Sequence, residues 1–490
     1  MLFNTFAFCC VFLPVALGLY YWLSKTSISG SIYILFAASL GFYAVDAARY
    51  LPLLLGSICL NYLAGNAILR QRRDGRPERA RWILAAGIVA DLAILFFFKY
   101  ADFFGASLRS ATGMHYSTLD LALPIGISFF TFTQIAYLID CQAGKVNHTQ
   151  AGSYGLFVTY FPHLIAGPIL HHKEMMPQFE DRRTHVFSRG RMVLGAVIFT
   201  IGLFKKVILA DGVARYVGPV FDADSTVLTL PEAWCGALAY TFQLYFDFSA
   251  YSDMAFGLSY MFGIILPINF NSPYRAVSII DFWRRWHMTL SAFLRDYLYI
   301  PLGGNRKGPA RRHVNLLITM VLGGLWHGAN WTFVVWGALH GIYLVFNHLV
   351  RHWLPGPAGP LVRWSGTVLT FTAVVLAWVF FRSPDIQSAL SILRSMVAGG
   401  FATADPDGFA IIDRLIPLRE CLVWLTALAA ICFFLPNIYQ WAGTGRNPGL
   451  ESRLAGAGGA FVAGLTTVAA LVLLAISETR GVSEFLYFNF

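Results

Sequence analysis

The chain has 490 residues, 57% of them hydrophobic and only 13% charged, with a formal net charge of +10. Soluble domains carry about 25% charged residues, and apolar runs of about 20 residues, the length a spanning helix requires, recur along nearly the whole chain, so a soluble enzyme with a single anchor is excluded. The basic excess sits in short loops between these runs, which reads as membrane orientation and not as nucleic-acid binding.

In chain order, apolar patterning predicts spans over 3–23, 28–47, 50–69, 82–101, 119–139, 192–212, 233–263, 314–350 (two helices with a bend), 362–382, 419–440 and 456–477. That is an all-α polytopic membrane protein with roughly eleven or twelve transmembrane helices. The first run, LFNTFAFCCVFLPVALGLYYWL, has no basic stretch before it and no small-residue cleavage site after it, so it reads as a retained span and not a signal peptide. After the third span comes RQRRDGRPERAR (70–81), with six arginines and two acids. Such a loop belongs in the cytoplasm, which puts the N-terminus outside and the basic loops 171–191 and 303–313 on the cytoplasmic face.

Two stretches do not fit as simple spans. YFPHLIAGPIL (160–170) is short and carries two prolines, and 272–304 is amphipathic and charged. Both read as re-entrant or interfacial helices. Irregular or charged backbone at membrane depth is tolerated only where protein buries it or it lines a wet cavity, so they point to an internal cavity. The chain reads as one membrane domain, 1–490, with N-terminal helices (1–140), a re-entrant and catalytic core (141–350) and C-terminal helices (351–490). The longest loop, around 383–418, is too short for a soluble domain. The seven cysteines are scattered without a C-x-x-C pair or zinc spacing and read as buried small hydrophobes.

Ionisable groups within membrane segments are costly and are candidate functional sites. QLYFDFSAYSDMAFG (243–257) gathers Asp247, Ser249, Tyr251 and Asp253; Asp247 and Tyr251, four apart, share a helix face. These groups either hydrogen-bond among neighbouring helices and fix the bundle, or orient a catalytic residue or cavity wall. In DFWRRWHMTLSAFLRDY (281–297), helical spacing pairs Asp281 with Arg285 and sets Trp283 beside His287. Arg284 and Arg295 fit an interfacial helix with snorkelling arginines; His287, on the more apolar side, fits that picture less well.

The third cluster is GGLWHGANW (323–331), where His327 lies among Gly323, Gly324, Gly328, Trp326, Asn330 and Trp331, with Trp336 and His340 following. The glycines let a ligand or another backbone approach closely, and an apolar surround disfavours imidazolium, keeping the ring available as a base. Were one helix to run through, His340 would point about 220° away from His327. His327 reads either as a packing residue or as a catalyst. There is no H-E-x-x-H, G-x-S-x-G, P-loop or G-x-G-x-x-G signature, so no metal and no serine nucleophile is expected.

Taken together, LPIGISFFTFTQIAYLID (123–140), YFPHLIAGPI (160–169), QLYFDFSAYSDMAFG, 269–306, GGLWHGANWTFVVWGALHG (323–341) and the terminal FLYFNF resemble the membrane-bound O-acyltransferases, in particular the bacterial alginate O-acetyltransferase type. The resemblance covers most of the chain and implies a ring of helices around a central tunnel, with His327 as the catalytic histidine and His287 at the second signature position. Trp326, Asn330, Asp247, Tyr251, Asp253, Trp283, Arg284, Trp286 and His340 are candidate substrate or tunnel residues. One departure is His163, where the family commonly has glutamine.

The resemblance further implies a bacterial inner-membrane enzyme embedded in membrane lipid, with no tightly bound cofactor. It would take an acetyl group from a cytoplasmic donor, acetyl-CoA, and pass it outward through a periplasmic or cell-surface acetyltransferase partner to an exopolysaccharide such as alginate, cellulose or another envelope polymer. His327 would act as general base and His287 as oxyanion donor or donor-positioning group. Lys307, Arg311 and Arg312 would attract the donor's phosphates, or serve only as topology determinants. The rival class is a transporter or channel with a histidine proton relay.

Overall fold

The computed structural model describes residues 1–222, 228–353, 359–399, 415–442 and 448–486. Every regular element among them is a helix. Among the described residues eight helical runs, against the eleven or twelve spans expected, are long and apolar enough to cross a membrane: Ala7–Ser24, Ile28–Arg73, Pro77–Thr112, Arg189–Ala214, Trp331–Arg351, Pro360–Arg382, Leu418–Ala442 and Ala457–Arg480. Large side chains such as Trp82, Trp364, Phe434 and Phe461 lie exposed on them, as expected where lipid replaces water.

The spans expected at 28–47 and 50–69 form one continuous helical run, with a short 3-10 segment at Ala48–Tyr50 between them. The span expected at 119–139 begins only at Ile127, because Gly126 in the left-handed conformation (φ 73°) turns the chain there. Within the 383–418 loop, Asp385 caps a thirteen-residue helix, Ile386–Ala398, by accepting from the Ser388 backbone N–H; residues 400–414 lie outside the described residues. Cys141, Cys235, Cys421 and Cys432 are buried as expected, whereas Cys10 and Cys59 are exposed and Cys9 is half-buried, on helices whose surroundings are apolar.

Contacts divide the chain into two compact units. One comprises Met1–Leu203, Tyr251–Ile268 and Ala442–Asn489. Several of its intramembrane polar groups are tied together: Asn61 donates to Asp91 (2.8 Å), Gln134 to Ser57 (2.8 Å) and Tyr154 to Gln134 (3.2 Å), which gives each a partner where isolation would be costly. Arg72 donates to the carbonyls of Cys141 and Gln142 at the end of helix Ile127–Ala143, so one arginine of the basic loop is also a helix cap. The 160–170 stretch is buried and non-helical. There His163 Nε2 meets the Phe157 carbonyl at 3.0 Å, which accounts for a polar ring at that departure from the family pattern.

The other unit comprises Phe204–Ala250 and Asn269–Trp441. It contains the 272–304 stretch, which is broken into the short helices Ile279–Trp283, Met288–Leu294 and Arg295–Tyr299. It also contains the hairpin of Gly308–His327 and Trp331–Trp353, which holds the candidate catalytic histidine. The bend expected inside 314–350 is therefore a break at residues 328–330.

Candidate active site

The break is written in the side chains around it. Gly328 adopts an extended conformation and ends the first helix with His327 as its last residue. Asn330 starts the second: its Oδ1 accepts from the Thr332 N–H (3.0 Å) while its Nδ2 donates to the Pro384 carbonyl (2.7 Å). Its amide therefore builds the turn.

The glycines seat protein against protein. A Cβ on Gly324 would lie 2.2 Å from the Phe333 carbonyl oxygen, and one on Gly337 would lie 2.3 Å from that of Met320. On Gly328 it would meet the Phe333 ring at 2.1 Å. At Gly324 and Gly337 another backbone approaches closely, which draws the two helices of the hairpin together.

His327 is 3% exposed and stands edge-on to three rings: Trp326 (4.9 Å, 69°), Trp336 (5.1 Å, 88°) and Phe381 (5.2 Å, 71°). The break also re-aims His340, which a continuous helix would have turned away. Its ring centroid lies 4.8 Å from Trp336, so the two histidines flank one indole. Trp283 joins them, 5.1 Å from His340 and 5.9 Å from Trp336.

The expected pairing of Trp283 with His287 does not occur. The helix carrying Trp283 ends at that residue, and His287 takes a left-handed backbone conformation (φ 41°, ψ 56°), so helical spacing no longer relates the two. The indole near His287 is Trp326, at 6.3 Å, and its closer ring contact is the edge-on Phe248 at 4.8 Å. A non-glycine residue at positive φ is a mark of local constraint. Here the constraint is a clamp: Met288 N–H donates to the Asn269 carbonyl (2.9 Å) and Asn271 N–H to that of Arg285 (2.9 Å).

The Asn269 side chain completes the clamp. His287 Nδ1 lies 3.0 Å from Asn269 Oδ1, which also receives Thr289 Oγ1 (3.0 Å) and the Thr289 backbone N–H (3.4 Å). Burial pushes the His287 imidazole down from its ordinary 6.5 to about 3, so it is neutral at physiological pH. The Asp281–Arg285 pair expected from spacing forms at 2.9 Å. Trp286 is buried against Phe282 (5.7 Å) and Trp378 (5.0 Å), whereas Arg284 is exposed.

Asp247 is held by a residue that sequence reasoning did not single out. Lys206, 2% exposed, lies 2.8 Å from Asp247 and 2.9 Å from Asp211. The available signal was a lysine inside the predicted span 192–212. Asn269, Trp378 and Phe381 were also missed, because their roles depend on segments far away in sequence. Tyr251 and Asp253 belong to the first unit, where Tyr251 packs on Phe3 (5.0 Å) and Phe485 (5.1 Å) and Asp253 is buried. Lys307 and Arg311 are exposed and Arg312 is half-buried; they stand at the opposite end of Gly308–His327 from His327, about 24 Å along the axis for Arg311. Among the described residues no three His, Cys, Asp or Glu side chains gather as a metal-ligand set.

Comparison with known proteins identifies the family. The model of the membrane-bound O-acyltransferase family matches residues 145–383, a stretch that contains His287, His327 and His340. The chain is 43% identical over 425 residues to the peptidoglycan O-acetyltransferase of Helicobacter pylori, covering 81% of this chain and 80% of that protein. It is 44% identical over 411 residues to the probable alginate O-acetylase AlgI of Pseudomonas aeruginosa, covering 82% and 75%. To the teichoic acid D-alanyltransferase of Streptococcus thermophilus it is 28% identical over 285 residues, covering 52% and 68%.

Proposed function

The chain belongs to the membrane-bound O-acyltransferase family, and on that premise we propose that it moves acetyl groups from acetyl-CoA on the cytoplasmic side to hydroxyls of a polysaccharide outside the bacterial inner membrane, with His327 as the catalytic base. The observation that carries this reading is the burial of His327 inside a cage of three aromatic rings at the end of a broken helix. A dry, fixed imidazole is suited to take a proton from a bound hydroxyl.

In the step, the acceptor oxygen attacks the thioester carbonyl carbon as its proton passes to the unprotonated ring nitrogen of His327. The tetrahedral intermediate collapses by breaking the carbon–sulfur bond, and the departing thiolate takes that proton back, leaving ester and free thiol. Positioned base catalysis of this kind contributes about 10²–10⁴-fold; alignment of donor and acceptor supplies much of the rest. Lys307, Arg311 and Arg312, well away from the reacting centre, attract the donor's phosphates at the cytoplasmic mouth. The basic loops 70–81, 171–191 and 303–313 face the cytoplasm and the N-terminus faces outward.

The relatives support O-acetylation of an envelope or secreted glycan, being named for peptidoglycan and alginate. We assign an exopolysaccharide such as alginate as the final acceptor, reached through a periplasmic or cell-surface acetyltransferase partner; cellulose or another envelope polymer is the alternative acceptor for the same chemistry. The test is ester-linked acetate on the secreted polymer of cells carrying His327→Ala, with membrane level of the protein measured alongside. Loss by a factor of about 100 or more is expected; unchanged acetate at unchanged protein level refutes the mechanism.

A further inference from the structure

The hydrogen bonds around Asn269 determine which nitrogen of His287 carries the proton. The Thr289 backbone N–H can only donate, and it points at the same Asn269 atom as His287 Nδ1, so that atom is the amide oxygen. An amide oxygen only accepts. The Nδ1 of His287 must therefore be the protonated nitrogen, and in a neutral ring the lone pair then resides on Nε2.

We propose that Asn269 is a positioning residue that locks His287 in the Nδ1–H tautomer, so that Nε2 acts as a hydrogen-bond acceptor toward an N–H or O–H of the bound substrates. This rests on the acyl-transfer reading above and deepens it. The oxyanion-donor role expected for His287 needs an N–H at Nε2, and the locked tautomer has none. The donor's amide N–H groups and the acceptor's hydroxyls share the chemistry that Nε2 would recognise.

The lock is built from independent pieces. The backbone bonds from Met288 and Asn271 fix residues 269–271 against 285–288, and the left-handed conformation of His287 turns its ring into the Asn269 amide. The faces packed on the ring are the Phe248 edge, Phe270 and Trp326. Of the ionisable groups those elements carry, Asp247 is held by Lys206, His327 stands beside Trp326, and on the ring's own turn Arg285 is held by Asp281, with Arg284 exposed.

The decisive variant is Asn269→Asp, which keeps an acceptor at Nδ1 but adds a charge that favours imidazolium. Protonation then occupies Nε2 as pH falls, so acetyl transfer in isolated membranes supplied with labelled acetyl-CoA should lose at least about 10-fold more rate between pH 8 and pH 6 than wild type does. In an Asn269→Asp/His287→Asn background that extra pH dependence should vanish. Coincident pH profiles for wild type and Asn269→Asp overturn the lock.

A second pair keeps the test open should Asn269→Asp fail to reach the membrane. His287→Gln offers an acceptor near the Nε2 position and should stay within about 10-fold of wild type, while His287→Lys, which only donates, should fall about 100-fold or more. The reverse order overturns the proposal. If the donor is the group recognised, His287→Lys raises the apparent KM for acetyl-CoA; if the acceptor is, it raises that for the polymer. Wild-type membranes that transfer no acetyl group remove the acyl-transfer reading itself and the lock with it.

Discussion

Replacing Lys206 with methionine removes the cation between Asp247 and Asp211 while preserving most of the buried volume. The two carboxylates respond differently, because Asp211 is 24% exposed and Asp247 only 2%. Asp211 can turn to solvent or headgroups; Asp247 stays buried and loses the cation beside it. Breaking a buried pair by removing one partner costs about 3–5 kcal/mol, and nearly all of it should fall on Asp247. Adding Asp247→Asn removes the stranded charge, so the double variant should return to within about 2 kcal/mol of wild type, the residue being the cost of imperfectly bonded polar groups.

The pair also adjoins the candidate site, since Phe248, next to Asp247 on the same helix, supplies the ring edge against His287. The assay is a graded SDS titration of the detergent-solubilised protein read by tryptophan emission, run as a double-mutant cycle. A Lys206→Met variant within about 1 kcal/mol of wild type, or a double variant no more stable than Lys206→Met alone, would refute the argument that this ion pair is a buried, mutually dependent unit.

Two further outcomes follow from the same geometry. Gly324→Ala places a methyl 2.2 Å from the Phe333 carbonyl, so the hairpin must open; acetylation should fall at least about 10-fold through displacement of the His327 cage, whereas Gly18→Ala, which meets nothing within 4 Å, should be silent in the same acetate measurement. Stability should also decline in acid. Burial lowers the pKa of His163 to about 4, that of His287 to about 3 and that of His185 below its ordinary value. The unfolded chain takes these protons near pH 6.5 while the folded chain refuses them, so the stabilisation present above pH 6.5 is lost as pH falls from there toward 4. Each refusing ring contributes up to about 1.4 kcal/mol per pH unit, and a thermal-stability profile flat between pH 7 and pH 5 would contradict the assignment.

The sequence alone determined the class, most but not all of the spans, the irregular stretches at 160–170 and 272–304, and the candidacy of His327. Those features are local: they follow from hydrophobic run length, proline and glycine placement, and charge density. The Asp281–Arg285 pair was legible for the same reason, since four-residue spacing survives even in a one-turn helix. The arrangement of the site was decided by tertiary structure. Helical arithmetic put His340 away from His327 and Trp283 beside His287; the break at Gly328–Asn330 and the left-handed turn at His287 reversed both. Periodicity describes a helix only while it continues, and at the two candidate histidines, His287 and His327, the chain leaves it. Asn269 and Lys206 were invisible for a related reason: each acts on a partner 18 or 41 residues away, and such a pairing is set by how segments pack, which no local pattern encodes.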